Sequence, residues 1–101
     1  MARKPSIAKL RESAIERELC DRVKAVGGRA EKVTVIGRRG FFDRLVLLPG
    51  GRVIFVECKR PRGGRVALHQ SLYASAYLAL GAEVATVRKS ADIDRLKLKQ
   101  K

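Results

Sequence analysis

The chain has 101 residues, enough for one domain with a modest core that dimerisation would help to stabilise. It carries 23 Lys and Arg against 10 Asp and Glu, a formal charge of +13, which favours a polyanionic partner, nucleic acid before an anionic membrane. No apolar run is long enough to span a bilayer, and no apolar segment follows the basic start Met1-Ala2-Arg3-Lys4, so neither a membrane span nor a secretion signal is expected.

Residues 1–9 are basic, interrupted by Pro5, and read as a frayed arm. A helix is predicted from about Leu10 to Val26, stopped by Gly27-Gly28. Its apolar residues Ile15, Leu19, Val23 and Val26 are spaced by 4, 4 and 3 and form one face. At about 100° per residue, Glu12 falls within roughly 30° of the centre of that face, Glu16 lies near its border, and Glu18 points away. By position alone, Glu12 reads first as a first-turn acid that complements the helix dipole. Arg29 to Ile36 reads as a strand, Gly37-Arg38-Arg39-Gly40 as a turn, and Phe41 to Leu48 as a second strand with Asp43 near its start.

Pro49-Gly50-Gly51 then turns the chain into Val53-Ile54-Phe55-Val56, an apolar run expected to be a buried central strand, with Glu57 and Lys59 on one face at its end. The two strands form an antiparallel hairpin, and Asp43 and Glu57 lie toward its open end. Arg60-Pro61-Arg62-Gly63-Gly64-Arg65 is an arginine-rich loop. A second helix is predicted from about Val66 to Leu80, with Leu68, Leu72, Ala76, Ala79 and Leu80 as its buried stripe and Gln70, Tyr73 and Tyr77 as an adjacent rim. Glu83 to Arg88 is a fourth strand, and Ser90 caps a last helix carrying Ile93 and Leu96. The basic tail 97–101 is expected to fray. The order α-β-β-β-α-β-α makes this an α/β chain with a mixed sheet flanked by helices.

Two carboxylates converging at a hairpin end make an oxygen-rich site suited to Mg²⁺ or Mn²⁺. Lys59, on the face of Glu57, is placed to orient a water or stabilise charge on a phosphate in flight. A salt bridge between Glu57 and Lys59, with Asp43 as a turn acid, is the plainer account, and a bare E-x-K carries little weight alone. Cys20 and Cys58 show no paired metal spacing and read as reduced thiols of a cytosolic protein. With His69 the single histidine, a His and Cys zinc site is not expected. His69 reads as a helix-start residue and Cys58 as a packed thiol.

Asp43 followed by Glu57-Cys58-Lys59 resembles the D…(D/E)-x-K core of the PD-(D/E)XK nucleases. More narrowly, the chain looks like a stand-alone VRR-NUC domain of the small phage type. Glu12-Ser13-Ala14-Ile15, Gly27-Gly28, Gly40-Phe41-Phe42-Asp43, Leu68-His69-Gln70 and Leu80-Gly81-Ala82-Glu83-Val84 carry that resemblance in order along nearly the whole chain. It implies a single restriction-endonuclease-like domain over residues 1–101. Asp43, Glu57 and the backbone carbonyl of Cys58 would bind the metal, with Lys59 catalytic, Glu12 the helix acid near the metal and Gln70 a polar group of the site. Phe42 stands where the family usually has proline. Glu16-Arg17-Glu18-Leu19 also looks like the first-helix motif of archaeal Holliday-junction resolvases, which would select Glu16 in place of Glu12. Small members of the family are associated with homodimers that cut branched DNA, four-way junctions especially. Arg38, Arg39, Arg60, Arg62 and Arg65 would grip phosphates. The alternatives are a monomeric flap or nicking nuclease and a non-catalytic nucleic-acid-binding module on the same fold.

Overall fold

A computed structural model describes residues 13–36, 42–59 and 68–99. The first element among the described residues is helix α1, Ala14–Ala25, which starts four residues later than the periodicity predicts. The reason is local: Ser13 is extended, and its hydroxyl accepts from the Glu16 backbone N–H at 3.1 Å, an N-cap that starts the helix there. At the other end Gly27, at φ +87°, lets the Gly28 N–H reach back to the Val23 carbonyl, the expected glycine stop. Gly28 also lets α1 approach the sheet, since a Cβ there would lie 2.5 Å from the Leu47 carbonyl oxygen.

Four strands follow in a mixed sheet of order β1-β2-β3-β4, interrupted by helix α2 before β4 and completed by helix α3. Strands β1 (Arg29–Lys32) and β2 (Arg44–Leu47) are antiparallel, as are β2 and β3 (Val53–Cys58). Strand β4 (Glu83–Val87) runs parallel to β3, across α2 (Leu68–Ala79). Helix α3 (Ser90–Arg95) closes the described chain. The predicted element order and hairpin are therefore present, with shorter strands than the apolar runs suggested.

Alternation along β3 separates two environments. Ile54 and Val56 are fully buried and face α1 and α3, where Leu19, Val23, Val46, Val87 and Ile93 complete the main core. Fully burying each such side chain contributes about 1.5–3 kcal/mol. The opposite face is thinner. Val53 is exposed and Phe55 half-buried, so the strand is central in the sheet but not buried on both sides as expected. An aromatic cluster covers this second face: Phe42, Phe55 and Tyr77 have ring centroids 5.0–5.6 Å apart, with Tyr73 adjoining Tyr77.

Three further expectations change. The apolar stripe of α2 points outward: Leu72 and Leu80 are exposed, while Tyr73 and Tyr77 turn inward, because the aromatic floor of Phe42 and Phe55 recruits ring contacts over aliphatic ones. Ser90 is not the cap of α3 but its first residue. Asp92 satisfies the helix start instead, accepting from the Arg88 and Lys89 N–H groups at 2.9 and 3.2 Å. Residues 97–99 are not frayed, since the Arg52 guanidinium donates to the Lys97 carbonyl and Leu98 packs against the core. The arm 1–9 and the arginine loops lie outside the described residues. Among the described residues no helix is long and apolar enough to cross a membrane.

Candidate active site

The sheet ends where β2 begins and β3 finishes, and the two candidate acids lie at that end. Arg44 pairs with Val56 in register, so Asp43 precedes β2 opposite Glu57. Its Oδ2 accepts from the Cys58 backbone N–H at 2.8 Å, which ties the carboxylate to the strand carrying the second acid. Phe42, buried against Phe55 and Tyr77, anchors the residue just before it. The Phe42 ring thus has a positioning task. Glu57 is 6 % exposed, and its Oε1 is closed off from solvent. The Lys59 ammonium lies 3.3 Å from Glu57 Oε2, a largely buried pair that agrees with the shared face read from the sequence. Thr86 pairs with Glu57 in register on β4, and Arg88 follows just beyond the strand end.

A second charged group lies beneath this one. Glu16 is 6 % exposed, not at a solvent border, and its Oε2 accepts from the Arg44 Nε at 2.7 Å and the Lys32 ammonium at 3.2 Å. Arg44 also donates to the Ala30 carbonyl at 3.1 Å. Neither Arg44 nor Lys32 stood out in the sequence. The available signal was alternation: Arg44 shares a face with the buried Val46, so a charge there needs a buried counter-charge.

Burial pushes the Asp43 carboxyl above its ordinary range, and the negative charge of Glu16 adds to this. The Cys58 N–H, Lys32 and Lys59 oppose it without cancelling it. Burial, with Glu16, Asp43 and Glu57 nearby, also pushes the Cys58 thiol well up, so it packs as a neutral group and does not act as a nucleophile. Since the folded state disfavours ionised Asp43, this group's contribution to stability is present at acid pH and lost as pH rises through the raised value. Asp43→Asn is therefore expected to melt at or above the wild-type temperature at pH 7 in EDTA, with the gap closing toward pH 4. Melting several degrees below wild type at pH 7 would contradict this.

Asp43 and Glu57 supply hard oxygen donors, and the raised carboxyl marks a site where a cation would be the natural counter-charge. Among the described residues no three His, Cys, Asp or Glu side chains converge. Mg²⁺ commonly takes only one or two carboxylates, with waters and substrate phosphate filling its other positions, so the two acids fit it. Glu12, Arg38, Arg39, Arg60, Arg62 and Arg65 lie outside the described residues. Gln70 sits on the first turn of α2, which follows the loop leaving Lys59, and its side chain lies outside them too.

No family model matches the chain. It is 45 % identical over 75 residues to a protein of Acyrthosiphon pisum secondary endosymbiont phage 1 named "Putative nuclease p44", across 74 % of this chain and 80 % of that protein. Among solved structures it is similar to a chain described as a VRR_NUC domain, with a TM-score of 0.79 and 31 % identity, over 85 % of this chain and 92 % of that one.

Proposed function

The chain belongs to the VRR-NUC family of nucleases, and from that premise we propose a metal-dependent, structure-selective DNA endonuclease that hydrolyses phosphodiester bonds in branched DNA, four-way junctions first. The observation that carries the reading is Asp43 tied to the end of β3 opposite Glu57, with Lys59 on that glutamate. Asp43, Glu57 and the Cys58 carbonyl would hold Mg²⁺ or Mn²⁺. Such an ion would supply charge neutralisation at a phosphate oxygen and activation of a water.

Lys59 orients the attacking water in line with the scissile P–O bond and offsets the charge that builds on the phosphate oxygens as the new P–O bond forms and the old one breaks. Glu57 keeps the ammonium in place between turnovers. Asp43, desolvated but fastened by the Cys58 N–H, is already ordered, so little would be lost in holding it for a metal ion. Gln70 is the polar group that α2 would bring to the site. Glu12 or Glu16 is the helix acid, and the buried Glu16 acts on the charge of Asp43. Arg38, Arg39, Arg60, Arg62 and Arg65 would supply the phosphate grip. Two nicks on opposing strands call for two sites related by a two-fold axis, hence a homodimer acting on DNA in the host cytoplasm.

Labelled four-way junctions, flaps, duplexes and single strands, incubated with and without Mn²⁺, test this. The expected result is symmetric junction cutting only with metal, and binding that weakens steeply with salt. Flap cutting alone would favour the monomeric nuclease. Salt-sensitive binding with no cutting of any substrate would leave a binding module and overturn the proposal.

A further inference from the structure

Helix α2 has the composition of a buried element and the position of an exposed one. In a chain with 33 % charged residues, its twelve residues, Leu68–Ala79, include no Asp, Glu, Lys or Arg. Its inward side is Tyr73 and Tyr77. Outward it presents Leu72, 60 % exposed, then Ala76, Ala79 and Leu80, the last 83 % exposed. The Leu80 N–H still bonds the Ala76 carbonyl, so Leu80 continues the helical geometry and the stripe. These positions form one continuous face at helical spacing.

We propose that this face is the surface through which two copies of the chain pair, α2 against α2 across a two-fold axis. This deepens the reading above, which asks for a dimer, by naming its surface. DNA is the wrong occupant, because an uncharged apolar stripe offers a phosphate backbone nothing while basic side chains surround the sheet elsewhere. The basic arm 1–12 is also a poor match, with five charged residues among its twelve. A second copy matches in shape. Leu72 and Leu80 lie four residues on either side of Ala76, so an antiparallel α2 pair sets small residues together at the centre and leucine against leucine at both ends.

A twelve-residue helix is only about 18 Å long, and a stable interface needs about 1,000 Å² or more in total, so α2 cannot suffice alone. The sheet supplies an apolar extension. Leu47 and Val53 pair in register on the face that α2 covers, and both are exposed. This arrangement also keeps the copies' like charges off the contact.

The test is the mass in solution of the full chain, beside Leu72→Glu/Leu80→Glu and Ala76→Cys. Wild type should run at twice the 11.2 kDa chain mass at micromolar concentration. The double glutamate variant should run as a monomer with an unchanged circular-dichroism spectrum, since both leucines are exposed. Ala76→Cys should form a disulfide-linked dimer under mild oxidation where wild type does not. A monomeric wild type, or a double variant that stays dimeric while Ala76→Cys fails to cross-link, overturns the proposal. Junction cutting scored on the same samples separates the two readings. A monomeric wild type that still nicks DNA sinks only this surface, whereas a dimer joined at Ala76→Cys that cuts nothing with Mn²⁺ sinks only the nuclease.

Discussion

Glu57→Gln should abolish cutting of branched DNA while the protein remains folded and bound to its substrate. Glu57 is the more deeply buried of the two paired acids, and its oxygens are ordered by the strand end and by Lys59. Glutamine keeps the volume but removes the charge on which a divalent ion depends. Lys59→Ala should lower cutting by about 10²–10³-fold, the usual cost of losing one donor aimed at developing charge. Junction affinity should change little in either variant, because most of the binding comes from phosphate contacts spread over the basic surface. Single-turnover cleavage of a labelled junction in Mn²⁺, with gel-shift binding on the same samples, checks both. Wild-type cleavage by either variant would remove that residue from the site.

Arg44→Met should destabilise the fold by about 3–5 kcal/mol, the cost of stranding one partner of a buried ion pair. Glu16 would keep its burial and lose its 2.7 Å partner, leaving only the more exposed Lys32. At about 4–8 °C per kcal/mol for a domain of this size, the melting temperature should fall by more than about 12 °C. Adding Glu16→Leu should recover most of that loss, because replacing both members of such a pair by apolar groups is often neutral. Thermal melts of the single and double variants check this. A single variant that melts within a few degrees of wild type would show that the pair carries little of the structure's stability.

The placement of Asp43, Glu57 and Lys59 at one end of the sheet was legible from short-range signals. A turn written Pro49-Gly50-Gly51 between two apolar runs defines a hairpin, and the hairpin places Asp43 opposite Glu57 without any long-range knowledge. Strand alternation puts Lys59 on the face of Glu57, and the 3.3 Å contact follows from it. What the sequence concealed depends on partners distant along the chain. The stripe of α2 reads as buried because periodicity counts leucines, yet the sheet beneath it offers Phe42 and Phe55, which ring-pack with Tyr77. Glu16 sits near the border of the helix face by angle alone, but Lys32 and Arg44 arrive from strands 16 and 28 residues away and make its burial affordable. The cap of α3 went to Asp92 because its carboxylate reaches back to the Arg88 and Lys89 N–H groups, a choice that Ser90 as a capping residue type does not reveal.

Calorimetric titration of Mn²⁺ into the metal-free protein tests the central claim, that Asp43 and Glu57 form one metal-binding nuclease centre. Wild type should bind the ion, and Asp43→Asn and Glu57→Gln should each lose that heat while keeping a cooperative melt. Lys59→Ala, which keeps both carboxylates, should still bind. Undiminished Mn²⁺ binding in Glu57→Gln would contradict the account.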